Sequence, residues 1–113
     1  MGTFSQTIEI ASSPGGPYET VDALVDSGAT YMLLPKTILQ RLGVRPLRKQ
    51  PFILANGTRT EYEISIVWVR IDSEERPTVC IWGEVDSKPL LGAYTLEGFL
   101  LGIDPVNKRL VPV

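Results

Sequence analysis

The sequence predicts an all-β domain, a small closed or partly closed barrel with one or two short helices. Short apolar runs recur along the chain, most of them alternating with polar residues, and turn-forming residues separate them. Apolar residues at helical spacing occur in one short stretch, residues 35–42. The 113 residues, 43% of them hydrophobic, fit one domain over residues 1–113 with a modest core. Many short strands with few helices are typical of such barrels.

The first two strands are predicted to form a hairpin that leads into an acidic loop. Residues 3–11 alternate apolar and polar side chains, which indicates a strand. Residues 12–17 are the densest turn cluster of the chain. Residues 18–25 resume as a strand, so the second arm of the hairpin carries Asp26 at its end.

A buried strand and a short helix are predicted next. Residues 31–34 form a second apolar run directly after the acidic loop. Residues 35–42 begin with Pro35, have apolar residues at helical spacing and are followed by Gly43. Proline at the start and glycine at the end are typical of a helix.

The middle of the chain is predicted to be a hairpin and a further strand. Asn56-Gly57 lies between the apolar runs 52–55 and 60–71, and Asn-Gly favours a hairpin turn because both residues tolerate positive φ. Residues 72–77 are charged and are predicted as a turn. Residues 78–85 are predicted as the next strand.

The last third of the chain is predicted to hold a buried strand, a second short helix and a terminal hairpin. Leu90-Leu91-Gly92 forms the strand and residues 93–98 the helix. The hairpin has strands at 99–103 and 109–113, joined by a turn over residues 104–108.

Composition excludes several classes of function. The chain has no histidine, which excludes Ser-His-Asp and Cys-His hydrolases and histidine-bound zinc. Cys80 is the only cysteine, so no intrachain disulfide forms, and no metal or cofactor is expected. A net charge of -2 without a run of Lys or Arg argues against nucleic acid as a partner. The absence of a membrane segment and of a signal-like start leads us to expect a cytoplasmic protein.

Asp26-Ser27-Gly28 is the strongest candidate for chemistry, because carboxylates are the natural acid–base groups left in this composition. The triplet is also an ordinary turn sequence, and its position between two apolar runs is what favours a catalytic role. Two carboxylates that share a proton can activate water for peptide hydrolysis. Asp22 would lie about 13 Å from Asp26 along an extended strand, too far to share one. A symmetric homodimer would supply the second carboxylate.

The segment Asp26-Ser27-Gly28-Ala29-Thr30, with the apolar residues and Pro35 that follow it, resembles the active-site segment of retropepsin-like (retroviral-type) aspartic proteases. Leu90-Leu91-Gly92 resembles the second hallmark of that family. Ala55-Asn56-Gly57 and Asp104-Pro105 resemble further features of its short bacterial and archaeal members. The resemblance covers residues 20–113 in the expected order.

The resemblance implies a closed barrel and a homodimeric aspartic endopeptidase that cleaves extended polypeptides. It implies that Asp26 of each subunit holds the lytic water, that Ser27 hydrogen-bonds across the twofold axis, and that Gly28 offers backbone groups to the carboxylates or substrate. The terminal strands 3–10 and 110–113 would form the dimer. It also implies two sets of residues that contact the substrate. Ala29 and Thr30 belong to the active-site loop. Ala55, Asn56 and Gly57 belong to a flap that closes over the peptide.

Two alternatives remain open on sequence grounds. The chain is compatible with a peptide-binding or scaffolding module that keeps this fold without cutting. A serine hydrolase that uses Ser27 is disfavoured, since the sequence lacks both a nucleophile-elbow pattern and a base.

Overall fold

A computed structural model describes residues 3–53 and 56–113. Neither helix in this part of the chain is long and apolar enough to cross a membrane. The described residues form two helices, α1 Lys36–Arg41 and α2 Ala93–Gly98, and nine strands: β1 Phe4–Ala11, β2 Glu19–Val25, β3 Met32–Pro35, β4 Arg48–Ile53, β5 Arg59–Ile71, β6 Glu74–Gly83, β7 Leu90–Leu91, β8 Leu101–Asp104 and β9 Arg109–Pro112.

Six strands close into a barrel in the order β1-β2-β7-β3-β6-β5, and β5 pairs back onto β1. The β2–β7 and β3–β6 pairs are parallel and the others are antiparallel, so the barrel is mixed. β4 extends the sheet beyond β5, while β8 and β9 form a separate two-stranded hairpin. The predicted small closed barrel with one or two short helices is confirmed.

Buried side chains, which alternate with more exposed ones along the strands, fill the interior of the barrel. In β5 the buried residues Val67, Val69 and Ile71 alternate with partly or fully exposed ones, as the period of a strand requires. Cys80 is fully buried, and burial raises the pKa of its thiol to about 12, so it acts as a small core residue. Among the described residues, the other hydrophobic core residues with no exposed surface are Ile10, Ala11, Ala23, Met32, Leu34, Leu39 and Leu91.

The stretch 72–77, predicted as a turn, is mostly strand. The turn is confined to Asp72 and Ser73, which have φ of 50° and 73°, and β6 begins at Glu74. Two consecutive positive φ angles match the twist of a tight hairpin. The charged residues that follow pair with β5, from Ile71 opposite Glu74 onward. Charge therefore marked the exposed end of a hairpin rather than a long turn.

β4 also differs from the prediction. It begins at Arg48, four residues before the predicted run that starts at residue 52, because residues 48–53 pair antiparallel with 59–64 of β5. Pro51 is tolerated there because β4 is the last strand of its sheet, where a missing backbone donor costs little. Likewise, β8 begins at Leu101 because Phe99 and Leu100 complete the end of α2.

Two arginine–carboxylate pairs tie the barrel together and give its stability a pH dependence. Arg70 donates from Nε and Nη2 to the two carboxylate oxygens of Glu9, both at 2.8 Å, and its guanidinium lies 4.0 Å from the centre of the Tyr18 ring. Arg41 forms the same bidentate pair with Glu19, through its Nε and Nη2 atoms. Hydrogen bonds from the arginines lower the pKa of Glu9 and of Glu19 from the ordinary 4.5.

We expect the Glu9→Gln variant to reveal this contribution. A carboxyl whose pKa is lowered by folding stabilises the protein above its unfolded-state pKa, and the contribution is lost as pH falls through the folded-state pKa. The difference in free energy of unfolding between the native protein and Glu9→Gln should therefore shrink as pH falls from about 6 to about 3. Urea unfolding at several pH values measures it. A difference that is constant over this range would contradict the assignment.

Candidate active site

The Asp26 loop connects two buried strands. β2 ends at Val25 and β3 begins at Met32, and both residues are almost completely buried. The backbone N–H of Asp26 donates to the carbonyl of Leu91 at 3.1 Å. Leu91 lies in β7, which runs parallel to β2 with Leu91 opposite Val25. The barrel thus fixes the point at which the chain enters the loop.

The loop is a tight turn closed around the Asp26 carboxylate. The backbone N–H of Gly28 donates to Asp26 Oδ1 at 2.9 Å, and that of Ala29 donates to the Asp26 carbonyl at 3.1 Å. A Cβ atom on residue 28 would lie 3.2 Å from Oδ1, so glycine permits this close approach. The carboxylate is therefore oriented by the backbone that follows it.

Ser27 is exposed and lines the cavity beside the loop. Asp26 is partly buried, whereas Ser27, Gly28 and Thr30 are exposed and Ala29 is partly buried. Within residues 3–53 and 56–113, Ser27 Oγ makes no hydrogen bond, so no base contacts it. Its predicted role, a hydrogen bond across the twofold axis, stays a prediction.

The start of α2 holds the other end of the loop. The N–H of Ala93 donates to the carbonyl of Ala29, and that of Tyr94 donates to the carbonyl of Thr30, both at 2.8 Å. The first N–H groups of a helix have no partner inside the helix, and here the loop supplies it. Sequence analysis missed Ala93 and Tyr94, although the predicted helix over 93–98 implied free N–H groups at its start.

Gly92 is the point of closest approach between the two segments. A Cβ atom at this position would lie 2.7 Å from the carbonyl oxygen of Tyr31 and 2.8 Å from those of Ala29 and Thr30. Only glycine leaves room for three backbone oxygens at such distances. The two motifs noticed in the sequence, around Asp26 and around Gly92, therefore form one structural unit.

A largely apolar cavity of about 480 Å³ opens beside Asp26. Asp26 and Ser27 lie on its wall together with Leu96 of α2 and with Leu101 and Ile103 of β8. The cavity is therefore bounded by the acidic loop on one side and by the C-terminal hairpin on the other. An ionisable group next to an apolar recess is a common arrangement in binding and catalytic sites.

The hairpin of β4 and β5 carries the remaining predicted site residues. Asn56 and Gly57 are exposed at its turn, where Gly57 has φ of 84° and Asn56 Oδ1 accepts a hydrogen bond from the N–H of Thr58 at 2.9 Å. Ala55 lies outside the described residues. The hairpin approaches the acidic loop through its arm, since Phe52 and Tyr31 line a common cavity.

Comparisons with known proteins identify the family and the fold. A family model described as "gag-polyprotein putative aspartyl protease" matches residues 17–98, which include the acidic loop, the β4–β5 hairpin and α2. No curated protein sequence matches the chain at a significant level.

Solved structures of proteases share the fold. EIAV protease in complex with the inhibitor HBY-793 is similar over 87% of this chain and 88% of its own, with 18% identity and a TM-score of 0.63. A retropepsin-like aspartic protease from Rickettsia conorii is 25% identical over 91% of this chain and 88% of its own, with a TM-score of 0.61. The retroviral protease-like domain of Ddi1 from Leishmania major is 19% identical over 96% of this chain and 87% of its own, with a TM-score of 0.60.

The family model covers most of the chain, and the mixed six-stranded barrel with two short helices is the fold of these proteases. The resemblance seen in the sequence is therefore confirmed: the chain belongs to the retropepsin-like aspartyl protease family.

Proposed function

We propose that the protein is an aspartic endopeptidase that acts as a homodimer, with the Asp26 carboxylates of two chains activating one water. The observation that carries the proposal is the Asp26 loop itself. Its carboxylate is oriented by the Gly28 N–H, and its backbone is fixed by β7 at one end and α2 at the other. Such preorganisation is what a group that must hold a reacting water requires.

The hydrogen bonds of Asp22 and Asp104 support the need for a second chain. Asp22 accepts a hydrogen bond from the Thr7 hydroxyl at 2.7 Å on the β1–β2 ladder. The side-chain amide of Asn107 and the backbone N–H groups of Asn107 and Val106 donate to Asp104 within its own turn, and these bonds, led by the Asn107 amide, lower its pKa. Both carboxylates bond to groups other than Asp26, which favours a second copy of the Asp26 loop as its partner.

The C-terminal hairpin supports association beside the acidic loop. A two-stranded hairpin is only marginally stable alone, and its outer edges offer unpaired backbone groups. Apolar side chains are exposed near it, with Leu100 at 70% and Val113 at 92% of their accessible surface. The cavity next to Asp26 is lined by the same hairpin. A partner chain docked here would cover these groups and bring a second acidic loop to the first.

The two Asp26 carboxylates would have different roles in peptide hydrolysis. Two like charges about 3 Å apart do not both ionise, so one carboxylate is protonated while the other is charged. The charged one takes a proton from water, and the protonated one donates to the carbonyl of the scissile peptide bond. Ser27 would link the two loops across the twofold axis. The β4–β5 hairpin would cover an extended peptide and exclude bulk water.

Cleavage of an unfolded protein by the native protein between about pH 3 and 7 tests the proposal. We expect cleavage, inhibition by a pepstatin-type compound, and a specific activity that rises with protein concentration as the dimer forms. A folded, dimeric sample that cleaves nothing under these conditions would overturn it and favour a peptide-binding module on the same fold.

A further inference from the structure

A second cavity lies between the end of the acidic loop and the β4–β5 hairpin. Its volume is about 250 Å³, and it is lined by Tyr31, Arg48, Gln50, Phe52, Ile64 and Val79. Strand alternation explains the composition of its wall, since residues 48, 50 and 52 point to one face of β4. Ile64, which also lines the cavity, lies directly opposite Arg48 in β5.

The cavity combines apolar walls with a few polar groups. Phe52, Ile64 and Val79 supply the apolar surface, and Phe52 is supported by Tyr62, whose ring centre lies 6.0 Å away at an interplanar angle of 55°. The other lining residues, Arg48, Gln50 and Tyr31, have side chains that carry hydrogen-bond donors. A recess of this kind accepts a side chain with an apolar stem and a polar end.

Arg48 gives the cavity a positive charge, and it forms no ion pair with the described residues. Arg41, Arg70 and Arg76 each pair with a glutamate. In the described part of the chain, Arg48 has no carboxylate within 4.0 Å. The nearest acidic residue across the ladder is Glu63, which lies opposite Lys49 on the other face of the hairpin.

The cavity lies next to the proposed catalytic loop. Tyr31 follows Thr30, whose carbonyl is bound by α2, and it packs on Tyr94 with the ring centres 5.6 Å apart. The opposite wall is the hairpin arm that would cover a bound peptide. A polypeptide extended along the loop would present a side chain here, beyond the residues that flank the scissile bond.

We propose that this cavity is a specificity subsite for an acidic side chain of the substrate, glutamate above all, and that Arg48 selects it. The inference rests on the proposed protease function. Glutamate has an apolar stem that fits the walls and a carboxylate that the guanidinium binds through paired hydrogen bonds. Glutamine has the same shape without the charge, so the preference is electrostatic.

The matched variants Arg48→Gln and Lys49→Gln test the assignment. Both remove one positive charge from the same strand, but the two side chains lie on opposite faces of the hairpin. Cleavage of a library of synthetic decapeptides, with the sites read by mass spectrometry, gives the preference at each substrate position. We expect the native protein and Lys49→Gln to cleave peptides with Glu faster than peptides with Gln at one substrate position. In Arg48→Gln the ratio of these two rates should be about fivefold smaller. The preference should also vanish below about pH 4, where glutamate is protonated.

A binding measurement separates this inference from the proposed function. Immobilised Asp26→Asn protein, with and without Arg48→Gln, selects peptides from the same library. If the selected peptides are enriched in Glu only when Arg48 is present, while the native protein cleaves nothing, that result would refute the proposed protease activity and support the subsite. Cleavage with no Glu preference, or one that Arg48→Gln leaves unchanged in a normally folded protein, would overturn the subsite and leave the protease intact. Neither cleavage nor selection would overturn both.

Discussion

Replacing Asp26 by asparagine is expected to lower the rate of peptide cleavage by at least about 10²- to 10⁴-fold, the usual contribution of a general acid or base. Asparagine cannot ionise, so it can neither take a proton from water nor share one with its partner. Its side-chain oxygen can still accept the hydrogen bond from the Gly28 N–H, so the loop and the fold should persist. Steady-state kinetics with a peptide substrate and thermal unfolding of the same samples measure both effects.

Asp22→Asn is the matched control. It makes the same chemical change four residues earlier, at a carboxylate that bonds to Thr7 on the barrel wall. We expect this variant to keep the cleavage rate of the native protein. An Asp26→Asn variant with more than about a tenth of native activity would remove Asp26 from the chemistry.

Replacing Gly92 by alanine is expected to have the second largest effect. The added Cβ would collide with three carbonyl oxygens of the acidic loop at 2.7–2.8 Å. These are backbone atoms, which cannot rotate away as the end of a flexible side chain can. The loop or α2 must therefore shift, and we expect a loss of about 1–3 kcal/mol in free energy of unfolding. Because the shift moves the Asp26 loop, cleavage should fall by more than the loss of folded protein explains.

Gly98→Ala provides the control for this prediction. Gly98 is the last residue of the same helix, and a Cβ there meets nothing within 4 Å. Alanine is a better helix former than glycine by up to about 1 kcal/mol, so this variant should be neutral or slightly more stable. Urea unfolding of the two variants side by side measures the contrast. Equal stabilities would show that the contact at Gly92 does not matter.

Hydrophobic alternation predicted the barrel because each strand buries one face. Helical spacing between Pro35 and Gly43 predicted α1, a second short helix was predicted after Gly92, and the structure confirms both helices. The hairpin around Asn56-Gly57 was predicted from the positive φ that both residues tolerate, and among these two Gly57 adopts it. Local signals sufficed for these elements because local backbone preference and burial agree there.

The remaining features depend on contacts between distant parts of the chain. β4 extends to Arg48 and β6 begins at Glu74 because both pair with β5, which no local pattern of these polar stretches indicates. The bonds from α2 to the acidic loop join residues more than 60 positions apart. The cavity at Arg48 likewise exists only after the hairpin folds toward Tyr31. Sequence analysis identified the Asp26 loop itself but not the groups that hold it.

Subunit mixing tests the central claim, that two copies of Asp26 form one site, most directly. Native and Asp26→Asn chains are unfolded together in equal amounts and refolded at a total concentration at which the protein is dimeric. If one site needs Asp26 from both chains, only native–native dimers cleave, and activity should fall to about one quarter of an equal total of native protein. A fall to about one half would show that each chain works alone and would contradict the account.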